Sequence, residues 1–210
     1  MIATRVVGAG AFIPRRVVTN ERIVQAIPGW SAERVAQKTG ILERRFLWDF
    51  DEDAGRTIVP NGDWSGPRTN TDMCEIALRR ALEMAGVAAR ELDGVFVVTV
   101  SPDELNFSHD AMVVHQRLGC RPDAFAMVVD SGCGGALYTL DMARRMIEGG
   151  TFRTVAIVAS NFASAYLDRE VFTSNVRVED RDIHRPGHPT TLARCRTLGN
   201  STAFDVRQQP

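Results

Sequence analysis

The residues best suited to covalent chemistry lie in the segment V-V-D-S-G-C-G-G-A-L, residues 128–137, where one cysteine stands among glycines. Apolar residues open the segment, and apolar residues spaced by threes and fours follow it. This order predicts a buried strand, a tight turn, and then the thiol of Cys133 in the first turn of a helix. Backbone amides in that turn lack intrahelical partners and favour negative charge, so they favour the nucleophilic thiolate. The local pattern leaves two interpretations open, a nucleophile and an inert buried thiol.

Three short apolar runs would form the sheet that positions this turn. They cover residues 94–100, 124–129 and 154–160, and their lack of polar alternation is typical of strands covered on both faces. Helical patterns separate the runs, and strands that alternate with helices form right-handed βαβ units in a parallel sheet. The predicted fold class is therefore α/β with a mostly parallel sheet. Sites in such sheets lie at the carboxyl ends of strands, where Cys133 is expected.

The remaining elements are predicted mainly from capping and turn residues. They are a strand over 5–12, a helix over 21–26 capped by Thr19 and Asn20, a helix over 32–38 capped by Ser31, and a helix over 72–85. Residues 49–69 show no periodicity and predict an irregular loop. After residue 178, scattered arginines and few apolar residues predict a loosely ordered tail over 179–210.

The composition argues against several classes of function. The chain has 210 residues, a formal net charge of −1 and 44% hydrophobic residues. This charge gives no basis for binding nucleic acid or an anionic membrane surface, and no apolar run is long enough to span a bilayer. The four cysteines are scattered, without a C-x-x-C pair or metal-like spacing, and the N-terminus lacks the pattern of a signal peptide. Together these features predict free thiols, no metal site and a cytoplasmic protein.

Several stretches, taken in order, resemble β-ketoacyl-[acyl-carrier-protein] synthase III, a condensing enzyme of the thiolase superfamily. G-A-G-A-F-I-P at 8–14, with V-T-N at 18–20, is similar to the family's opening motif. K-T-G-I-L-E-R-R at 38–45 resembles its T-G-I-x-E-R-R signature, and 130–140 resembles its active-site cysteine segment. The resemblance covers residues 4–178 and favours a nucleophilic Cys133 over an inert one.

The resemblance implies a thiolase-like fold, of which this chain would be one half. The family's chain forms an αβαβα sandwich from two halves of similar topology, with the cysteine helix between their sheets. Residues 1–178 would be the N-terminal half and 179–210 a divergent tail, with the C-terminal half absent. Apolar residues surround this helix instead of forming one stripe, so without the second half one of its faces would be left uncovered; these residues are Leu137, Tyr138, Leu140, Met142 and Ile147.

The resemblance also implies the chemistry of an acyltransferase. Cys133 would take an acyl group from an acyl-CoA, and the acyl group would then condense with malonyl-acyl carrier protein as it loses CO₂. Acyl-CoA is a substrate here, and no bound cofactor is implied. The implied partners are acyl-CoA, acyl carrier protein, and either a second copy in a homodimer or a complementing C-terminal half. The flanking Ser131 and Gly132 leave both fatty-acid and polyketide synthesis open.

Four further residues are carried over as substrate-binding candidates. Phe107 stands where the family places an aromatic side chain that crosses the dimer interface to close the partner's acyl pocket. The alternative is an aromatic that fills the core before a helix. Arg44 could meet CoA phosphates or the acidic carrier protein, or could be a solvated surface charge.

Two of these candidates depart from the family pattern. Arg34 occupies the place of the family's tryptophan for the CoA adenine, while Trp30 lies four residues earlier. Arginine can also stack on a base. Lys38 replaces an arginine and so lacks the planar guanidinium.

The histidine and asparagine that assist decarboxylation in the family, in H-x-x-N and G-N motifs, have no convincing counterpart. H-R-P-G-H at 184–188 does not match, and G-N-S at 199–201 lies too early in the chain. Three functions therefore stay open. The chain is an acyl-transfer enzyme that another polypeptide or assembly completes, a non-catalytic truncated or frameshifted remnant or partner subunit, or a cysteine hydrolase. The hydrolase rests only on Ser131-x-Cys133-x-Gly135, which approximates a nucleophile elbow.

Overall fold

The computed structural model describes residues 3–62, 64–104, 107–170 and 201–208. These residues divide into two units, which are considered separately. The first draws on Met1–Ile13, Thr69–Asn161 and Asn200–Pro210, and the second on Pro14–Arg68 and Phe162–Gly199. Within the described ranges, every helix is too short or too polar to cross a bilayer.

The chain contains nine described strands and five described α-helices. The strands are β1 Thr4–Phe12, β2 Arg16–Thr19, β3 Glu43–Phe46, β4 Asp49–Asp51, β5 Arg56–Ile58, β6 Gly94–Thr99, β7 Phe125–Val129, β8 Thr154–Ser160 and β9 Ser201–Gln208. The helices are α1 Asn20–Ile23, α2 Ala32–Thr39, α3 Asn70–Ala85, α4 Asp110–Leu118 and α5 Gly135–Glu148.

The first unit is built on one five-stranded sheet of order β1-β9-β8-β6-β7. β6 pairs in parallel with both β7 and β8, with Phe96 opposite Met127 on one side and Ile157 on the other. β9 runs antiparallel to β1 and to β8. The predicted parallel strands and the α/β fold class are therefore confirmed.

Helices cover both faces of this sheet. Val95 and Val97 of β6 belong to a buried cluster with residues of α3 and α4. Phe96 and Val98, which alternate with them, belong to a second cluster with Ala143 and Ile147 of α5. All six residues of β6 are buried because both of their faces are covered, which explains the continuous apolar run in the sequence.

The two glycines of β1 allow α3 to lie directly against the strand. A Cβ atom at Gly10 would lie 2.3 Å from the carbonyl oxygen of Ala77, and one at Gly8 would lie 2.2 Å from that of Ala81. Real Cβ atoms do not approach a backbone oxygen so closely, so any larger residue would push strand and helix apart. The G-A-G motif is thus a packing motif in this fold.

The second unit contains two antiparallel strand pairs, β2 with β3 and β4 with β5. Residues 42–48 are basic and then aromatic, a pattern that predicts a strand or a hairpin arm, and β3 forms there. The predicted helix over 21–26 is split into α1 and a 3₁₀ turn at Val24–Ala26. Residues 49–69 are not wholly irregular, because 49–58 form the β4–β5 hairpin. Its three-residue strands are too short to show a period in the sequence.

The Thr19-Asn20 motif has a different role from the predicted helix cap. Thr19 is at the N-cap position of α1 but makes no side-chain cap bond. Asn20 instead donates from Nδ2 to the carbonyl oxygen of Ile41 at 2.8 Å and accepts from Arg44 at 3.0 Å. The motif therefore tethers two segments that are distant in sequence. The Ser31 cap is confirmed, since its hydroxyl accepts from the Arg34 amide.

The prediction of a loosely ordered tail is wrong for residues 201–208. They form β9, which pairs along its length with both β1 and β8. S-T-A-F-D-V-R-Q contains β-branched and aromatic residues at alternate positions, a strand signal that low overall hydrophobicity hid. The rest of the predicted tail, apart from these eight residues, lies outside the described residues.

Candidate active site

Cys133 lies in a single 3₁₀ turn, Gly132–Gly134, between the carboxyl end of β7 and the start of α5. Gly132 has φ of +55°, a left-handed conformation that glycine adopts without steric cost. A Cβ atom at Gly135 would lie 2.6 Å from Cγ1 of Val98, so the turn also lies close against β6. Two of the flanking glycines are therefore required by the backbone that presents the cysteine.

The electrostatic surroundings of this turn favour a developing negative charge. Gly134 is the N-cap of α5 and supplies no side-chain acceptor, and the first turn of α5 contains no acidic residue. The positive end of the helix dipole therefore lies beside Cys133 without a carboxylate of that turn to offset it. An oxyanion formed on a carbonyl carbon bonded to the cysteine sulfur would be stabilised there.

Cys133 differs from the other described cysteines in its exposure. Cys133 is exposed, Cys120 is half-buried, and Cys74 is fully buried. Burial raises the pKa of Cys74 and also that of Cys120, which disfavours their thiolates. Cys195 lies outside the described residues. Of the three described thiols, the one predicted to be the nucleophile is the one that a substrate can reach.

Phe107 lies on the surface of the first unit, on the connection between β6 and α4. The residue is 86% exposed, and its φ is +60°. A bulky residue rarely adopts this left-handed conformation unless its surroundings impose it. The interpretation of Phe107 as a core residue is therefore wrong for this chain, and its role at an acyl pocket stays a prediction.

Arg44 lies on β3 and is partly buried, where burial lowers the pKa of its guanidinium. Its Nη1 donates to Oδ1 of Asn20 at 3.0 Å. This bond joins the V-T-N motif to the T-G-I-x-E-R-R motif, so Arg44 has a structural role within the second unit. The interpretation as a purely solvated charge is not supported by this contact.

Arg34 and Trp30 form a stacked pair, which the sequence analysis did not predict. The guanidinium carbon of Arg34 lies 4.5 Å from the centroid of the Trp30 ring, and Nη1 donates to the Gly29 carbonyl at 3.2 Å. Trp30 is 40% exposed, so the pair presents an aromatic surface to solvent. The i, i+4 spacing was the available signal, but Trp30 lies outside α2, where such spacing does not guarantee contact.

Lys38 is exposed in the last turn of α2.

The predicted site residues fall into two groups. Cys133 and Phe107 belong to the first unit, whereas Arg34, Lys38 and Arg44 belong to the second.

Sequence reasoning missed a buried polar cluster in the first unit that contains Asn70 and Asp110. No three His, Cys, Asp or Glu side chains within the described ranges are grouped to hold a metal ion.

Comparison with known sequences gives one consistent relationship. A family model described as 3-oxoacyl-[acyl-carrier-protein (ACP)] synthase III matches residues 128–180, which include Cys133. The chain is 36% identical over 166 residues to a β-ketoacyl-[acyl-carrier-protein] synthase III of Rhodospirillum centenum, covering 78% of this chain and 44% of the relative. It is 31% identical over 163 residues to the enzyme of that name from Ehrlichia canis, with 78% and 45% covered. The chain thus spans less than half the length of these curated relatives.

Comparison with solved structures extends the likeness to the whole chain. A 3-oxoacyl-[acyl-carrier-protein] synthase III from Aquifex aeolicus superposes with a TM-score of 0.70 at 22% identity, covering 99% of this chain and 54% of that one. The priming β-ketosynthase from the R1128 polyketide biosynthetic pathway gives 0.67 at 25% identity, with 98% and 50% covered. Both comparisons show the thiolase-like fold.

Proposed function

Because this chain belongs to the β-ketoacyl-[acyl-carrier-protein] synthase III family of the thiolase superfamily, we propose that it is an acyltransferase whose Cys133 accepts an acyl group from acyl-CoA. The observation that carries this proposal is the position of Cys133. It is exposed, it follows β7, which pairs in parallel with β6, and it stands at the amino end of α5.

The proposed step is a thioester exchange. The Cys133 thiolate attacks the carbonyl carbon of the acyl-CoA, and a tetrahedral oxyanion forms beside the amino end of α5. The carbon–sulfur bond to CoA then breaks, and the CoA thiolate leaves and takes a proton from solvent. The products are an acyl-enzyme thioester and free CoA, with no change in oxidation state.

The second unit, considered by itself, carries residues whose chemistry suits CoA. The exposed face of the Trp30–Arg34 stack could take the adenine ring by aromatic and guanidinium stacking. Arg44 and Lys38 supply positive charge for phosphates or for an acidic carrier protein. These assignments rest on residue chemistry and on the family pattern.

The subsequent steps of the proposal are decarboxylation of malonyl-acyl carrier protein and condensation, as in the priming of fatty-acid or polyketide synthesis. The H-x-x-N motif that assists this step in the family does not occur in the sequence. We therefore expect a complementing C-terminal half or a second copy to supply the side chains that assist decarboxylation.

A cytoplasmic location stays a prediction that rests on the scattered cysteines.

Intact-mass measurement after incubation with a short acyl-CoA tests the proposal. We expect the mass to rise by one acyl group in the unaltered protein and in Cys120→Ser, and not at all in Cys133→Ser. Cys120→Ser is the matched control because it removes a second, half-buried thiol without touching the α5 turn. A folded sample that acquires no adduct would favour the remnant or partner subunit over the enzyme.

A second assay separates loading from condensation. The acylated chain is mixed with malonyl-acyl carrier protein, and the β-ketoacyl product is measured by mass spectrometry. We expect the 210-residue chain alone to load Cys133 without forming product. Turnover at the rate of a complete condensing enzyme would contradict the proposal that the groups that assist decarboxylation come from another half or a second copy.

A further inference from the structure

Strand β1 forms an open edge of the sheet in the first unit. It lies at one end of the strand order β1-β9-β8-β6-β7, and no described strand is longer than its nine residues. β9 pairs with one side of β1, so within the described ranges no strand pairs with the other side. The backbone groups of an open strand edge are a template for pairing with another chain.

The sequence of β1 lacks the features that usually protect such an edge. Protected edge strands are short, or they carry charged residues or proline. The single charge of β1 is Arg5, near its start, and the following V-V-G-A-G-A-F at 6–12 contains neither a charged residue nor proline. Strands that are uncharged and rich in glycine are prone to alternate pairings. The protection of β1 must therefore come from another element.

Two side chains of α3 bond to the open edge. The Ala9 amide donates to Sδ of Met84 at 3.3 Å, and Nη1 of Arg80 donates to the Ala11 carbonyl oxygen at 2.5 Å. Residues two apart in a strand direct their amide and carbonyl groups to the same side. Ala9 and Ala11 therefore share one edge, and on that edge side chains take the place of a neighbouring strand. We refer to Arg80 and Met84 as the edge cap.

The helix spacing and a glycine of β1 bring the edge cap into reach. Arg80 and Met84 are four residues apart on α3, so their side chains are neighbours on one helix face. A Cβ atom at Gly10 would lie 2.8 Å from Cβ of Arg80, so this side chain starts directly against the strand. Met84 is 71% exposed and Arg80 is also exposed. Burial therefore does not force these two side chains onto the strand.

The two capped groups are those that a second copy of β1 would use. If two copies paired antiparallel about Gly10, Ala9 of each copy would lie opposite Ala11 of the other. In a hydrogen-bonded pair of this kind, each Ala9 amide donates to the opposite Ala11 carbonyl oxygen. The contact is isologous, because the same strand is used on both copies. The edge cap occupies both the donor and the acceptor of this pairing.

The edge cap opposes pairing more by its volume and charge than by the strength of its bonds. A thioether sulfur is a weak acceptor, so a carbonyl oxygen would bind the Ala9 amide more strongly than Met84 does. The Arg80 guanidinium, however, would have to move away or lose water before another strand could approach. Removal of both side chains should therefore free an edge that is otherwise ready to pair.

We propose that Arg80 and Met84 form an autoinhibitory cap that prevents β1 from pairing antiparallel with the β1 strand of a second copy of this chain. A second copy is the expected occupant because β1 is its own hydrogen-bonding complement about Gly10. The inference does not depend on the proposed acyltransferase function, since no step at Cys133 enters it.

The test removes the edge cap with Arg80→Ala and Met84→Ala together and measures association by sedimentation velocity. All samples also carry Leu137→Lys, which places a charge on the exposed face of α5 and so weakens any association through that helix. We expect the apparent dissociation constant of the dimer to fall by about tenfold or more when the cap is removed. An unchanged constant in the folded variant would overturn the proposal.

Arg79→Ala with Met112→Ala is the matched control. It also removes one exposed arginine and one exposed methionine, so the change in charge and composition is the same. Arg79 bonds to Glu75 and to the Arg117 carbonyl oxygen, and Met112 lies on α4. We expect the control to associate like its parent. Association as strong as that of the uncapped variant would show that the effect is not specific to β1.

Hydrogen exchange of the peptide 4–12 locates the contact. In the uncapped variant we expect this peptide to exchange about tenfold more slowly at high than at low protein concentration, because pairing protects its amides. Ala11→Lys, at an exposed position of β1, should abolish this protection and the dimer, because a charge in an edge strand blocks pairing. A dimer that persists with Ala11→Lys, or that leaves this exchange unchanged, would overturn the proposal.

Met84→Leu keeps the proposal testable should the uncapped variant not fold. Leucine has nearly the same volume as methionine but cannot accept a hydrogen bond. At a concentration where the chain is monomeric, we expect the peptide 4–12 to exchange about threefold faster in Met84→Leu than in the unaltered protein. Equal exchange rates would show that Met84 does not hold the Ala9 amide, and the cap would be refuted.

Discussion

At the scale of single residues, the site depends on what the backbone permits around Cys133. The sequence pattern located the turn that carries Cys133 because glycines, a preceding apolar run and a following helix are all readable from residue types. It did not show that Gly135 is needed for contact with Val98, or that Arg34 stacks on Trp30. Such contacts depend on the distance between elements, which no local pattern encodes.

The different environments of the thiols predict an order of alkylation. In the native protein, we expect iodoacetamide to modify Cys133 first, Cys120 more slowly, and Cys74 last, because burial excludes the reagent and raises the pKa of both other thiols. Peptide mapping after timed quenching measures each rate. In denaturant the three rates should converge. Faster modification of Cys74 than of Cys133 in native protein would contradict the described burial.

At the scale of elements, the predictable parts are those with long, uniform patterns. The strands near 94 and 154 were predicted because a strand covered on both faces is apolar throughout. The strand near 124 was also predicted, but as β7 it lies at the sheet edge and is only partly covered. The hairpin at 49–58 was missed because its three-residue strands are too short to show a period, and β9 was missed because its partners lie elsewhere in the chain. β9 pairs with β1 across most of the sequence, and such a pairing leaves no local signature beyond alternation.

The contact between β1 and α3 gives a stability prediction at Gly10. Gly10→Ala places a methyl group where only 2.3 Å separates its Cβ from the Ala77 oxygen, and we expect the free energy of unfolding to fall by about 3 kcal/mol. Urea denaturation followed by circular dichroism measures the change. Gly62→Ala is the control, since nothing lies within 4 Å of its Cβ position. Equal stability of the two variants would contradict the close packing.

Asp93 joins the amino ends of three strands and gives a pH prediction. Its Oδ2 accepts from the amides of Arg153 and Thr154 at 2.7 and 3.0 Å, and its Oδ1 accepts from Arg121 at 3.1 Å. Burial alone would raise the pKa of Asp93, but these hydrogen bonds and the charge of Arg121 outweigh burial and lower it. The folded chain therefore holds the ionised form more strongly than the unfolded chain does.

We expect Asp93→Asn to lower the free energy of unfolding by about 1–2 kcal/mol at pH 7. A lowered folded-state pKa adds stability at pH values above about 4, the ordinary range for aspartate, and this stability is lost as the pH falls through the folded-state value. The difference between the variant and the unaltered protein should therefore shrink on acidification below pH about 4. Denaturation curves across pH measure it, with Asp123→Asn as control. A constant difference would show that Asp93 acts without its charge.

At the scale of the whole molecule, one face of α5 in the first unit is open to solvent. The resemblance led us to expect that this face would be left bare. The structure confirms it, because Leu137 is 71% exposed and Tyr138 is 67% exposed, beside the ion pair of Asp141 and Arg145. The opposite face of α5 buries Ala143 and Ile147 against the sheet. An apolar patch with a charged rim is typical of a surface that binds another polypeptide.

This arrangement predicts self-association of the chain when no other partner is present. We expect sedimentation velocity to show concentration-dependent association that Leu137→Lys weakens, because a charge in the patch must be desolvated on contact. The unfolding free energy should change by less than about 0.5 kcal/mol, since the side chain is exposed in the folded chain. Met112→Lys, at an apolar position of similar exposure on α4, should leave association unchanged. A monomeric unaltered protein at high concentration, or equal effects of the two substitutions, would show that the α5 face is not the contact surface.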